Sequence, residues 1–178
     1  MRNQSINNQQ DLFKTPRLII TDVSSMYEQN SDLKADLLTR TIALLSPKVV
    51  KSLPPHFQAV SSLESADHFI SRMLSESQCL AIKLSKNKLI VGFIFLYQST
   101  HNVVQIGYLL GEDYWGEGYA KEFLKALISW SKGNGGISKL VAGVEPNNIS
   151  SACLLKKMGF SKCPDKNRAV VFYEYALI

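Results

Sequence analysis

Between a β-rich run at Val103–Leu110 (VVQIGYLL) and a segment of helical period opening near Tyr119 stands Gly116-Glu117-Gly118. A glycine pair joining a strand to a helix constrains this chain more than any other feature. It fixes a strand–loop–helix unit and leaves backbone N–H groups free at the helix N-terminus. Those orphan donors and the helix dipole favour an anion, and glycine lets phosphate oxygens approach the main chain closely. The loop predicts binding of a phosphate or pyrophosphate; the structural alternative is a tight turn with nothing bound. Two common nucleotide signatures are excluded. A dinucleotide fingerprint needs a third glycine where Lys121 stands, and an acidic residue about twenty positions on. The P-loop pattern GxxxxGK[ST] is absent.

The rest of the chain falls into alternating β and α signals. After a polar, Asn/Gln-rich start (Met1 to Leu12), Thr15-Pro16 leads into a strand at Arg17–Val23, with Ser24-Ser25 as helix caps. Leu37, Leu38, Ile42 and Leu45 place one face of a helix from Met26 to Leu45, broken by Ser46-Pro47. Pro47–Ser61 reads as an irregular crossing segment around one short helical turn. Ala66, Phe69, Ile70, Met73 and Leu74 mark a second amphipathic helix. Three β runs follow, Cys79–Leu84, Leu89–Tyr97 and Val103–Leu110, spaced for antiparallel hairpins. Ala120, Phe123, Leu124, Leu127 and Ile128 define a third helix, closed by Gly133-Asn134-Gly135-Gly136. Lys139–Val144 is a strand, Pro146-Asn147-Asn148 opens a fourth helix running to about Met158, Gly159 is its left-handed cap, and Val170–Leu177 is the last strand. The predicted order is β-α-α-β-β-β-α-β-α-β, an α/β chain with a mixed (α+β) sheet. No repeat and no composition shift divides it.

Composition sets outer limits. With 178 residues, 46% hydrophobic and 20% charged, the chain suits one domain with a core that needs no metal or disulfide staple. Three widely spaced cysteines, Cys79, Cys153 and Cys163, make neither a disulfide framework nor a metal pair and read as buried thiols in a reducing compartment. No signal-length or membrane-length apolar run occurs, so the expectation is a cytoplasmic protein with no membrane partner. The net charge of +5 favours an anionic partner without choosing one. Nucleic acid is not favoured, because no basic helix is interleaved with aromatics. His56, His68 and His101 lack metal-ligand spacing, so no metal is expected.

Ile106-Gly107-Tyr108-Leu109-Leu110-Gly111, Tyr114-Trp115-Gly116-Glu117-Gly118-Tyr119-Ala120, and Asn148-x-x-Ser151 through Lys157-Met158-Gly159-Phe160 together resemble the GNAT acyltransferase superfamily. The likeness is strongest to its RimJ/RimL-type branch, which acetylates protein N-termini. It runs in order from Thr15-Pro16-Arg17-Leu18 to the C-terminus, which implies a polar arm at 1–14 and a GNAT domain at 15–178. Two motifs separated by nearly thirty residues are far more specific than either alone.

The resemblance implies the GNAT fold and acetyl-CoA as cofactor. It further implies that Val103–Leu110 carries a bulge and splays from Lys139–Val144, opening a slot for the pantetheine arm. Main-chain groups of Tyr108, Leu109 and Leu110 would meet that arm, and N–H groups of Trp115, Gly116, Glu117, Gly118, Tyr119 and Ala120 would hold the pyrophosphate. The family's phosphate motif opens with Arg or Gln; here that position is Asp113. Asn147 and Asn148 are both candidates for the helix cap, and the resemblance gives Asn148 a second role, a bond to pantetheine or substrate. Ser151 matches a serine held to protonate the departing thiolate, and Lys157 is within reach of the ribose phosphate, although an exposed lysine needs no such role.

The reaction implied is direct attack of an amine on the acetyl thioester, with backbone N–H near Leu109 or Leu110 stabilising the charged oxygen. The glutamate that relatives place two residues before the Gly-Tyr pair is Gln105 here, which accepts no proton. Glu145 is the candidate base, directly or through water, against an equal reading as a solvated loop acid; Glu112 is the weaker choice. His56, in the crossing segment, borders the expected acceptor pocket. The expected acceptor is a peptide or protein N-terminal amine. A small amine such as an amino sugar or amino acid conjugate, and a silent acyl-CoA-binding module, are the alternatives. Monomer and homodimer both stay open.

Overall fold

The computed structural model describes residues 11–29, 31–100, 102–133, 135–164 and 169–177. The first ten residues, His101, Asn134 and part of the Ser161–Ala169 loop therefore lie outside the described residues. Eight strands form one mixed sheet in the order β1-β2-β3-β4-β5-β6-β8-β7. They are β1 Asp11–Lys14, β2 Leu18–Asp22, β3 Gln78–Leu84, β4 Ile90–Thr100, β5 Val103–Leu110, β6 Lys139–Val144, β7 Ser161–Lys162 and β8 Val171–Ala176. The helices are α1 Val23–Gln29, α2 Ser31–Leu44, α3 Pro47–Val50, α4 Leu63–Glu76, α5 Tyr119–Gly133 and α6 Ile149–Lys157. No described helix is long and apolar enough to cross a membrane.

The sheet is buried on both faces, which is why β2, β3 and β4 read as nearly unbroken apolar runs. One face carries Leu18, Ile20, Leu80, Ile82, Ile94, Val104 and Ile106 against α5 and α6, through Phe123, Leu124, Leu127 and Leu155. The other carries Cys79, Ala81, Phe93, Phe95 and Leu109 against α1, α2 and α4, through Met26, Leu37, Phe69, Ile70 and Met73. α4 is started by a reciprocal cap: Ser65 N–H donates to Ser62 Oγ at 3.1 Å and Ser62 N–H to Ser65 Oγ at 2.9 Å.

Several sequence expectations need correction. The helix expected over Met26–Leu45 is two helices, α1 and α2. Ser24 and Ser25 lie inside α1 rather than capping it; the carboxylate of Asp22, two residues before Ser24, accepts from the Ser24 N–H at 2.9 Å instead. The crossing segment holds two short turns, α3 and a 3₁₀ turn at Pro55–Phe57, each opened by a proline. Asp11–Lys14 pairs with β2, so the sheet begins before Thr15. Of the three cysteines only Cys79 is buried; Cys153 is exposed and Cys163 half-buried, and all three are free.

The feature that positions the site lies between β5 and β6. Their parallel ladder runs from Val103↔Lys139 to Ile106↔Ala142 and stops. Beyond that point β5 stays with β4 as far as Leu110↔Gly92, while β6 stays with β8 as far as Val144↔Val171. Each strand follows its antiparallel partner, and the slightly weaker parallel pairing gives way. The splay is thus present, but the bulge expected in β5 is not. The register shift lies in β4, between Gln98 and Thr100. β5 runs evenly from Val104 to Leu110.

Candidate active site

Main-chain direction decides what the open slot offers. Gly111 N–H donates to Val91 C=O at 3.0 Å, on the β4 side. Antiparallel alternation then turns the main chain of Leu109 toward β4 and that of Tyr108 and Leu110 toward the open side. Leu110 C=O already accepts from Trp115 Nε1 at 2.8 Å, so a side chain from the glycine loop occupies one edge of the slot. Leu109 contributes its side chain to the core under α1, α2 and α4 rather than a main-chain donor to the slot.

At the end of β5 the chain makes a 3₁₀ turn at Glu112–Tyr114 and enters α5 through the glycine loop. Gly116 and Gly118 have φ of +79° and +81°. This left-handed backbone is one L side chains rarely adopt, and it explains both glycines. A Cβ at Gly116 would meet nothing within 4 Å, so the loop's outer side is open space. Trp115, Glu117 and Gly118 are exposed, and Tyr119 and Ala120 half-buried. Asp113 is exposed, while Glu112 is engaged: Ser46 Oγ donates to it at 3.1 Å and Lys48 Nζ lies at 3.4 Å.

The loop is braced by Arg17, the residue just before β2, a feature that no motif pointed to. Arg17 Nη1 donates to Glu117 C=O at 3.0 Å and Arg17 Nε to Glu122 at 2.7 Å, and the guanidinium lies 4.4 Å from the Tyr119 ring centre. Glu122, in the first turn of α5, also accepts from the Arg17 N–H at 2.9 Å and from Thr15 Oγ1 at 2.6 Å. Burial pushes the Glu122 carboxyl up, but the bonds from Thr15 and Arg17 outweigh it and hold the group below its ordinary value.

On the far side of the slot, Asn148 caps α6, its Oδ1 accepting from the Ser151 N–H at 3.2 Å. This confirms the cap and fixes Ser151 in the first turn. Tyr108 reaches from β5 toward this helix. Its ring packs edge-on to Phe123 at 5.3 Å, and its hydroxyl is buried without a hydrogen-bond partner. Burial raises the phenol's pKa, and the neighbouring Ser151 side chain pulls it part of the way back. Glu145 follows β6 directly, and its C=O accepts from the Asn148 N–H at 2.9 Å. Lys157 lies at the exposed end of α6, about two turns from Ser151 along the helix.

The opposite face carries the crossing segment. His56 stacks against Phe57 at 4.6 Å, and Phe57 meets Phe69 and Phe95 edge-on. Its Nε2 is buried without a partner. Burial, then the nearby Arg72 charge, lowers its pKa, so the ring is neutral at neutral pH. Gln105 lies opposite Tyr97 in the β4–β5 ladder. Burial pushes the Tyr97 phenol up to about 12. Among the described residues, no three His, Cys, Asp or Glu side chains gather as metal ligands.

The structure therefore brings together the open side of Tyr108 and Leu110, the glycine loop, Asn148 and Ser151, with Glu145 at the near end of β6. It leaves Lys157 at a distance. The slot suits an extended amide-bearing arm, because Tyr108 and Leu110 lack a strand on that side. The loop suits a phosphate, because Gly116 opens onto free space and Gly118 faces only the end of the Arg17 side chain at 3.5 Å.

A family model described as Acetyltransferase (GNAT) domain matches residues 31–161. Among sequence relatives, the uncharacterized N-acetyltransferase YnaD of Bacillus subtilis (strain 168) is 25% identical over 92% of this chain and 95% of its own length. The uncharacterized N-acetyltransferase p20 of Bacillus licheniformis is 38% identical, but over only 33% of either chain. Among solved structures, RimL, a ribosomal L7/L12 alpha-N-protein acetyltransferase in complex with coenzyme A, superposes with a TM-score of 0.73. That similarity covers 94% of this chain and 98% of RimL at 17% identity, a likeness of fold.

Proposed function

This chain belongs to the GNAT acetyltransferase family, and on that premise we propose that it moves an acetyl group from acetyl-CoA to the α-amino group of a peptide or protein N-terminus. The observation that carries the reading is the ladder that opens beyond Ile106 and Ala142, beside a glycine loop of positive φ. The similarity in fold to an alpha-N-protein acetyltransferase supports the choice of acceptor.

Acetyl-CoA supplies an acetyl group activated as a thioester. The chain's own residues do the rest. Main-chain N–H groups from Trp115 to Ala120 hold the pyrophosphate, and Tyr108 and Leu110 meet the pantetheine amides. Ser151 protonates the departing sulfur, and Asn148 fixes the helix turn that carries it. Glu145 takes the amine's proton, directly or through water; Glu112 is already committed to Ser46 and Lys48.

Amine acidity favours the acceptor class. At pH 7 an α-amine of pKa about 8 costs roughly 1.4 kcal/mol to deprotonate, against roughly 4.6 for a lysine amine near 10.4. With Gln105 where relatives place a base, the low-pKa amine is the one this site can use.

A coenzyme A release assay over peptides, polyamines and aminoglycosides tests the reading. Peptides with a free α-amine should turn over; the same peptides blocked at the N-terminus but carrying lysine should not. Turnover confined to polyamines or aminoglycosides would replace the acceptor, and binding of acetyl-CoA without any product would leave a binding module. Ser151→Ala should lower kcat about tenfold, a modest effect because a thiol is a good leaving group at pKa about 8.5. Its affinity for acetyl-CoA should hold. An equal loss of affinity, with full turnover at saturation, rejects Ser151 as the acid.

A further inference from the structure

We propose that Tyr108 is a positioning residue for Ser151, its phenol forming with the serine a chain of two hydroxyls that delivers a proton to the sulfur of the departing coenzyme. The proposal deepens the acetyl-transfer reading above and rests on it. Its starting point is an anomaly of packing. The Tyr108 hydroxyl is buried and unbonded, and leaving a buried polar group unpaired costs about 1–3 kcal/mol. A phenylalanine would fill the same space against Phe123 without that cost. The oxygen is therefore best explained by a partner that it acquires during the reaction.

Ser151 is placed to be that partner. Its N–H is held by Asn148, so its position in the first turn of α6 is fixed. The Ser151 side chain acts on the Tyr108 phenol, which makes the two hydroxyls neighbours. Both border the slot where β5 leaves β6.

Acidity explains why serine alone is insufficient. An aliphatic hydroxyl is a far weaker acid than a phenol of pKa about 10, so a serine that simply lost its proton would be left as an unstable alkoxide. Ser151 Oγ instead gives its proton to the sulfur that keeps the electron pair of the broken carbon–sulfur bond, and in the same movement takes the phenolic proton of Tyr108. Tyr108 is then reprotonated from solvent, to which Glu145 passes on the proton that it took from the amine. Burial keeps the phenol protonated at neutral pH between turnovers.

Tyr108→Phe removes one oxygen and keeps the edge contact with Phe123. Calorimetry should give an acetyl-CoA affinity within about twofold of wild type, while kcat falls roughly fivefold to tenfold. The double variant Tyr108→Phe/Ser151→Ala should be no slower than Ser151→Ala alone, because a broken chain cannot be broken twice. Phenolate absorbance adds a readout independent of turnover. One late-titrating phenol of the wild type should be missing from Tyr108→Phe, and coenzyme A binding should move it in the wild type and not in Ser151→Ala. Full turnover by Tyr108→Phe, losses that multiply in the double variant, or a phenol indifferent to both coenzyme A and Ser151 would each overturn the chain while leaving acetyl transfer intact. A wild type silent toward every amine would take both readings down, and only that outcome implicates the function itself.

Discussion

Replacing both loop glycines, Gly116→Ala together with Gly118→Ala, should weaken acetyl-CoA binding more than a hundredfold while the protein remains folded. Space is not the obstacle. A Cβ at Gly116 meets nothing within 4 Å, and one at Gly118 meets only the far end of Arg17 at 3.5 Å. The obstacle is backbone conformation. Holding an L side chain at φ near +80° costs about 1–3 kcal/mol per residue. Relaxing to negative φ removes that strain but turns the loop's N–H groups away from the phosphates. Either route takes roughly 3 kcal/mol from binding when both glycines change, and 1.4 kcal/mol is tenfold. Gly133→Ala is the internal control: it ends α5 without positive φ and with nothing within 4 Å of the new Cβ. It should leave affinity unchanged and raise stability by up to about 1 kcal/mol. Calorimetry with acetyl-CoA and melting curves with and without it measure both. A double glycine variant that binds within threefold of wild type would remove the phosphate from this loop.

What the sequence could disclose depended on whether a feature was local. Val103–Leu110 and Lys139–Val144 match their expected bounds because their β-rich runs are flanked by turn residues. The caps at Asn148 and Gly159 were legible for the same reason: each is decided by a few adjacent residues. Features set by distant partners were hidden. β1 is only four residues long and polar at both ends, and it is a strand because β2 offers it an edge. The break between α1 and α2 falls within a stretch whose apolar spacing alone suits one helix. The Arg17–Glu122 contact spans 105 residues and carries no periodic signal. The side chain of Tyr108 is hidden for a different reason. The glycine–tyrosine pair signals a main-chain role, and only the packed structure shows a buried hydroxyl without a partner.

Glu122→Ala should lower stability by about 2 kcal/mol and the melting temperature by roughly 4–8 °C. Arg17 is 45% exposed, so the ion pair itself adds less than about 1 kcal/mol. The larger share comes from the Arg17 N–H and the Thr15 hydroxyl, which lose a charged acceptor in a partly buried setting. The same change releases Arg17 from Glu117, so acetyl-CoA should bind several-fold more weakly as the glycine loop loses its brace. The pH dependence identifies the carboxylate as the cause. The folded-state pKa of Glu122 lies below its ordinary value of 4.5. Its stabilising contribution is therefore complete above about pH 4.5 and is lost as pH falls through the folded value. The stability gap between wild type and Glu122→Gln, which keeps one acceptor oxygen but no charge, should stay constant from neutrality to about pH 5 and shrink below it. Urea titrations along that pH range measure the gap. A gap that persists undiminished into strong acid would mean that shape, and not charge, ties β2 to the start of α5.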